Sequence, residues 1–203
     1  MISIARRRIP LLNDDGRGVM DGYEYVDLKL PSGKLWATCN VGASVETGYG
    51  NYYQWGSDDV FVKNTQQYVV KQGILSNKRN MTWRPLGGTK WRVAYLTEFT
   101  ELINNTNASF ETIDGINGMK FTSKRNPNAY IFFRAGGFYR NSGTRASNGS
   151  GVYYWAATYN WTQADADVNA NQTVYFYSGS SSTNSTTTTR GIDQGLLLRY
   201  VHV

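Results

Sequence analysis

The chain holds one cysteine, Cys39, and one histidine, His202, in 203 residues. A single cysteine forms no intramolecular disulfide and builds no cysteine-based zinc site. Cys39 closes the apolar run Leu35-Trp36-Ala37-Thr38-Cys39, which favours a buried structural thiol over a nucleophile. A catalytic cysteine needs a base beside it, and the single imidazole stands at the C-terminal end. Long apolar runs are missing as well. No stretch approaches the roughly 20 apolar residues of a membrane-spanning helix, and Ile9-Pro10-Leu11-Leu12 is too short for the apolar region of a secretory signal. The expectation is no membrane span and no signal peptide, so that a place outside the cell would be reached through assembly into a particle.

The charge lacks a focus. The formal net charge is +6, but the one compact basic cluster is Arg6-Arg7-Arg8, and Lys78-Arg79 and Lys124-Arg125 are only pairs. Nucleic-acid binding calls for a clustered basic face, so no nucleic-acid partner is expected. Disorder is disfavoured by 40% hydrophobic and 14% aromatic residues against 18% charged. The length fits one β-rich domain with insertions.

Residues 1–22 read as an N-terminal arm, with the turn signal Asn13-Asp14-Asp15-Gly16; such an arm is disordered or docks on a partner in a virion or surface assembly. The domain is expected to run from 23 to 203. Tyr25-Val26-Asp27-Leu28-Lys29-Leu30 alternates as a half-buried strand does, Pro31-Ser32-Gly33 is a turn, and Lys34 to Val41 completes a hairpin. Asn51 to Gly56 is a short aromatic strand, and residues 57–90 are mainly loop with a candidate strand at Tyr68-Val69-Val70. Thr97 is placed as the N-cap of a helix whose apolar stripe is Phe99, Leu102 and Ile103, ended by Asn104-Asn105. Phe110–Ile113 and Gly118–Thr122 form a hairpin around Asp114-Gly115. Further strands are expected at Ala129–Phe133, Val152–Ala156, Thr173–Tyr177 and Leu196–Val201. The fold class is α+β: short antiparallel strands, one or two helices and much irregular loop.

The C-terminal third is unusual in composition. Of residues 141–190, 28 of 50 are Ser, Thr, Asn or Tyr, and from Arg125 onward there is no Lys, Glu or Met. The run Ser180 to Thr189 reads as a flexible polar linker on composition alone. Strand-like segments on both sides, Val174-Tyr175-Phe176-Tyr177 and Leu196 to Val201, place it inside the fold instead. Tyr, Ser, Asn and Gly are also the residues of paratopes, where tyrosine supplies contact area and small polar groups supply adaptable hydrogen bonds.

Several motifs occur in order. Tyr25 to Ala43, with Leu35-Trp36-Ala37-Thr38-Cys39-Asn40-Val41-Gly42 at its centre, resembles the opening of a bacterial and phage family with the formylglycine-generating-enzyme type of C-type lectin fold. Tyr49-Gly50-Asn51-Tyr52-Tyr53-Gln54-Trp55-Gly56 continues it. Trp91-Arg92-Val93-Ala94-Tyr95-Leu96-Thr97-Glu98-Phe99 resembles the family's Trp-Arg-x-Pro-x-x-x-Glu-Trp, with Ala94 where proline is common. Gly151-Val152-Tyr153-Tyr154-Trp155-Ala156-Ala157 resembles its Gly-x-Tyr-Trp-Ser-Ser strand, and Arg190 to Val201 its closing Arg-x-x-Gly-Phe-x-Val-Arg-x-Val, with Leu196-Leu197-Leu198 replacing the phenylalanine-containing run. Together they cover about residues 23–203. Within that family the polar third is similar to the variable proteins of diversity-generating retroelements, which include phage tropism determinants. Their mutagenesis of adenines in AAY codons yields no Lys, Glu, Gln, Met or Trp, and the absence of Lys, Glu and Met after Arg125 agrees with that rule. By that rule Trp155, Trp161, Gln163, Gln172 and Gln194 are scaffold, and Arg190 and Gly195 are assigned to the scaffold too.

The resemblance implies a ligand- or receptor-binding protein, displayed on a phage tail or cell surface, and not an enzyme. Its partner would be a protein or glycan receptor on a target cell. The alternative is a structural or adhesin tip module of the same fold without diversification. The variable region is expected over about 140–193, with Asn148, Ser150, Tyr153, Thr158, Tyr159, Asn160, Tyr175, Tyr177, Ser182, Asn184, Thr186, Thr187, Thr188 and Asp193 on the ligand face. No catalytic residue, cofactor or metal is expected. The enzymes of this fold need a cysteine pair near the C-terminal end, and Cys39 is far upstream. Asp165, Asp167 and Asn169 have a calcium-loop spacing that no glycine and distal Glu complete, and no opposed carboxylate pair suggests a glycosidase. Trp36, Trp91 and Trp155 are expected in the core.

Overall fold

A computed structural model describes residues 15–63, 82–88, 90–159, 173–179 and 186–203; for 159, 173–179 and 186–190 only the backbone is described. The chain begins with β1 (Arg17–Met20), β2 (Tyr23–Val26), β3 (Trp36–Asn40) and β4 (Trp91–Val93), followed by α1 (Leu96–Asn105). Then come β5 (Thr106–Ile113), β6 (Ile116–Ser123), β7 (Tyr130–Arg134), β8 (Phe138–Tyr139), β9 (Arg145–Ala146), β10 (Gly151–Tyr159), β11 (Thr173–Gly179), β12 (Thr186–Arg190) and β13 (Arg199–His202). Antiparallel strands with one short helix make the architecture α+β. The main sheet runs β1-β2-β3-β13-β4, so the last strand of the chain lies between β3 and β4 and closes the N-terminal half. Among the described residues no helix is long and apolar enough to cross a membrane.

The turn chemistry explains the hairpins. Asp114 and Gly115 both have positive φ, 50° and 76°, as a two-residue type I′ turn requires, and they set the β5–β6 register from Thr106↔Ser123 to Ile113↔Ile116. Gly33, at φ 69°, closes the Pro31-Ser32-Gly33 turn by donating its N–H to the Leu30 carbonyl. The β2–β3 pairing then sets Val26 opposite Trp36. The first strand of that hairpin is shorter than the alternation of 25–30 predicts, because Asp27 turns the chain by accepting the Lys29 N–H at 2.8 Å.

Four expectations are corrected. The arm does not extend to residue 22: Arg17–Met20 pairs with Tyr23–Val26 as the edge of the main sheet, and Arg17 grips Glu46 with both carboxylate oxygens at 3.0 Å. The N-cap is Tyr95, two residues before Thr97, and the helix starts at Leu96. Glu98 accepts the Tyr95 N–H at 2.8 Å and pairs with Arg92 at 2.6 Å, so the carboxylate rather than a threonine hydroxyl fixes the N-terminus. Asn51–Gly56 is not a regular strand; Tyr53 makes isolated bridges to Val60 and Leu196. Within 57–90, Trp83 belongs to the core and donates its indole N–H to the Ser57 carbonyl at 2.9 Å. The candidate strand at Tyr68-Val69-Val70 lies outside the described residues. Cys39 is half-buried rather than buried.

Two apolar clusters share β10 as their common wall. Val152, Tyr154 and Ala156 enter the cluster of Trp36, Phe99, Phe121 and Phe133. Tyr153, Trp155 and Ala157 enter the cluster of Tyr53, Trp55, Trp83, Trp91 and Tyr200. Leu197 lies in the first, Leu196 and Leu198 in the second. The last strand begins at Arg199 rather than Leu196; Leu196 and Leu197 make isolated bridges, and residues 196–198 have apolar core on both sides, which reads as a continuous apolar run instead of an alternating one. Trp36, Trp91 and Trp155 are buried as expected.

Candidate functional site

The polar third is held by β10. Its neighbour β11 pairs with it from Gly151↔Gly179 to Tyr159↔Thr173, and β12 pairs with β11 from Thr173↔Arg190 to Tyr177↔Thr186. The threonine run therefore enters the sheet: Thr186, Thr187 and Thr188 stand opposite Tyr177, Phe176 and Tyr175. Side-chain positions for Tyr159, Tyr175, Tyr177 and Thr186–Thr188 are outside the described set, as are Asn160, Trp161, Ser182, Asn184 and the Asp165, Asp167, Asn169 spacing.

Asn148 and Ser150 flank one end of β10 and Thr158 the other, about 25 Å apart at 3.3 Å per residue. Asn148 and Ser150 are exposed in the turn before Gly151. Thr158 is at the far end, where its Oγ1 accepts the Leu96 N–H at 2.9 Å. That N–H belongs to the first turn of α1, where backbone donors have no partner within the helix. Thr158 is therefore a helix-anchoring residue rather than a ligand contact. Thr158→Val should cost about 1 kcal/mol in chemical denaturation while leaving ligand choice alone; an unchanged midpoint would return Thr158 to the surface set. Tyr153 is also corrected. It is 6% exposed, with its ring 4.9 Å from that of Phe138, because β10 has no solvent face at that position. Asp193 is half-buried in the Gly191–Gln194 turn, and its carbonyl accepts the Gln54 side-chain amide at 3.1 Å. Gly195 is scaffold: its N–H and carbonyl both pair with Tyr139, and a Cβ would lie 2.7 Å from the Phe61 ring.

Asn148 leads to a cluster that the sequence reading missed. Its Oδ1 accepts the Tyr49 hydroxyl at 3.0 Å. The Arg134 and Arg145 guanidinium carbons lie 3.2 Å and 4.1 Å from the Tyr49 ring centroid. Arg134 donates to the Thr47 carbonyl at 2.6 Å; Arg145 donates to the Tyr52 hydroxyl at 2.7 Å and to the Gly136 carbonyl at 2.9 and 3.1 Å. Burial raises the Tyr49 hydroxyl pKa, but the hydrogen bonds and charges of Arg145 and Arg134 outweigh it and hold the phenol below its ordinary range. Burial pushes Tyr52 the other way, well above the ordinary phenol range despite Arg145. A signal was available: residues 115–164 contain six cations, Lys120, Lys124, Arg125, Arg134, Arg140 and Arg145, and no Asp or Glu. Spread along the sequence they look scattered; strands β7 and β9 bring Arg134 and Arg145 together on the Tyr49 ring.

Beside this cluster lies a groove of about 290 Å³ lined by Gly50, Asn51, Tyr52, Val60, Phe61, Lys63, Tyr139 and Gly143. Tyr139 stands edge-on to Tyr52 at 4.8 Å and stacks with Phe61 at 5.6 Å. His202 lies elsewhere, 2.9 Å from Asp21 and edge-on to Trp91. Among the described residues no group of three His, Cys, Asp or Glu side chains is arranged to hold a metal ion. No family model, curated protein or solved structure matches the chain.

Proposed function

We propose that the chain is a binding module of the C-type-lectin-like, formylglycine-generating-enzyme type of fold, whose polar C-terminal third is a diversified ligand surface like those made by diversity-generating retroelements. One observation carries this reading. The Ser/Thr/Asn/Tyr-rich segment is threaded through strands anchored on β10, which is buried from Gly151 to Ala157. A rigid wall carrying polar segments lets sequence vary at low structural cost. The ligand surface consists of Asn148 and Ser150 together with Tyr159, Asn160, Tyr175, Tyr177, Ser182, Asn184, Thr186–Thr188 and Asp193. Tyr153 and Thr158 belong to the scaffold. The module binds a protein or glycan receptor at a target cell and is carried on a phage tail or a cell surface, with residues before Arg17 reaching the assembly partner. It is a binder and not an enzyme: the chemistry of formylglycine formation needs a second cysteine, and the chain has Cys39 alone.

The test is a set of combined substitutions at Asn148, Ser150, Asn160, Ser182 and Asn184, read by receptor capture and by thermal unfolding. Ligand choice should change while the melting temperature moves by no more than a few degrees, as surface substitutions do. Unfolding of most combinations would sink the display-surface reading. Sibling sequences distinguish the adhesin alternative: under diversification their differences concentrate after residue 140, and a reverse transcriptase with a template repeat lies near the gene.

A further inference from the structure

The β5-β6-β7 sheet has an open edge. β5 stands at one end of the strand order and runs for eight residues in unbroken register with β6. The two-residue Asp114-Gly115 turn makes Ile113↔Ile116 a hydrogen-bonded pair, after which unbonded and bonded pairs alternate. Ile113, Glu111, Ser109 and Asn107 therefore bond to β6. Thr112, Phe110 and Ala108 point their N–H and C=O groups away from it. Among the described residues these groups make no backbone hydrogen bond outside the ladder. Natural proteins blunt such an edge with a short strand, proline, lysine or a bulge. β1, at the edge of the main sheet, has four residues. β5 has none of those devices. The core is incomplete beside it, where Ala108 and Phe110 pack against the first apolar cluster but are only partly buried.

The edge is complementary to itself. In a two-fold pairing the same outward residues must serve both copies. An axis at Phe110 sets Phe110 opposite its own copy and Ala108 opposite Thr112 in both directions, so all three outward residues bond. Any other axis sets one of the three against the turn, α1 or Thr106, the C-cap of α1. On the outer face Ser109 stands opposite Lys120 within the chain, and Glu111 accepts the Ser109 hydroxyl at 2.6 Å and pairs with Lys120 at 3.3 Å. The two-fold register places Glu111 of the second copy beside Ser109. No carboxylate then directly faces another, and each gains a second lysine across the join. An unrelated peptide adding as a strand would call for none of this symmetry.

From the open eight-residue edge, the partly covered Phe110 and the self-complementary register, we infer that β5 pairs antiparallel with β5 of a second copy of the chain about a two-fold axis at Phe110. The pairing joins the two three-stranded sheets into one and sets the two Phe110 side chains together on its core face. It does not rest on the diversified-surface reading, because β5 lies outside the polar third and either can fail without the other. With both in place, the pair presents two polar thirds and binds a receptor-bearing surface bivalently.

The experiment is analytical ultracentrifugation of the full chain over a wide range of protein concentration. The average mass should rise from one chain to two. Thr112→Pro removes an outward N–H, which an edge strand tolerates. It should weaken the pairing about tenfold or more, since each dimer loses two hydrogen bonds, and leave the folded monomer in place. Cysteine pairing reads the register. In a Cys39→Ser background, Phe110→Cys sets two thiol-bearing residues about 5.5 Å apart at Cα, within disulfide reach, and should cross-link to itself on oxidation. Thr112→Cys should cross-link with Ala108→Cys and not with itself. A monomer at every concentration, a dimer indifferent to Thr112→Pro, or self-linking of Thr112→Cys without linking to Ala108→Cys would each overturn the inference.

Discussion

Arg199→Ala should cost about 3–5 kcal/mol in urea unfolding, the scale for removing a buried charged group from its hydrogen-bond partners. Arg199 has no exposed surface. Its guanidinium donates to the Ala37 carbonyl at 3.0 Å, the Thr38 carbonyl, the Asn40 side-chain oxygen at 2.7 Å and the Phe132 carbonyl at 2.8 Å, and it lies 4.7 Å from the Phe133 ring centroid. These acceptors belong to β3 and β7. One side chain therefore joins the last strand to the first half of the main sheet and to the β5-β6-β7 sheet. Truncation leaves several buried oxygens without a donor and opens a cavity between β13 and β7. Arg199→Lys should recover part of the loss, since an ammonium is a compact donor that cannot reproduce the planar fork. A loss under about 1 kcal/mol for the alanine variant would mean that the carbonyls find other donors and that Arg199 is not a fold determinant. Domains of this kind are stable by only about 5–15 kcal/mol, so the alanine variant should sit close to the unfolding threshold.

The arginine was visible in the sequence as part of the closing motif, but its role was not. What the sequence carries well is local. Asp114-Gly115 demands positive φ at two successive positions and so yields the β5–β6 hairpin, and Phe99, Leu102 and Ile103 mark the buried stripe of α1. What it carries poorly depends on the partners a segment acquires. Thr97 is a good helix cap by residue type, yet Glu98 is better placed because Arg92, on β4, holds its carboxylate beside the Tyr95 N–H. Arg17–Met20 looks like part of an arm because its strand character comes from pairing with β2.

The candidate sites show the same division. Composition singles out the polar third, and the register of β11 and β12 on β10 places its backbone. Alternation fails at Tyr153 because it assumes one solvent face, whereas β10 has an apolar cluster on each side. The cationic cluster around Tyr49 is invisible along the chain. Arg134 and Arg145 are far from Tyr49 in sequence, and β7 and β9 bring both guanidinium groups onto its ring. Charge clustering is a property of the fold, so a sequence search for basic runs passes over it.

Trp155→Ala should likewise cost about 3–5 kcal/mol, as a large-to-small change in a packed core, and its effect should reach the polar third. Trp155 is fully buried, its indole N–H donates to the Tyr53 carbonyl at 2.7 Å, and its backbone N–H donates to the Leu197 carbonyl at 3.0 Å. It stands opposite Tyr175 of β11. The side chain fixes β10 against the 53–55 segment while the backbone fixes it against 197. Removing the indole frees one wall of the second cluster and the anchor of β11 together. Hydrogen exchange on Thr173–Gly179 and Thr186–Arg190 should therefore accelerate by more than global destabilisation accounts for, as in local opening of one cooperative unit. Trp155→Phe keeps most of the ring volume and loses the N–H; because the Tyr53 carbonyl still accepts the Leu196 N–H at 3.0 Å, it should cost about 1 kcal/mol for the one hydrogen bond lost and leave the β11–β12 exchange rates near those of the parent. Equal acceleration in every strand of the alanine variant would show that β10 holds the polar third no more tightly than the rest of the domain does. The proposed separation between a rigid wall and a variable surface would then lose its physical basis.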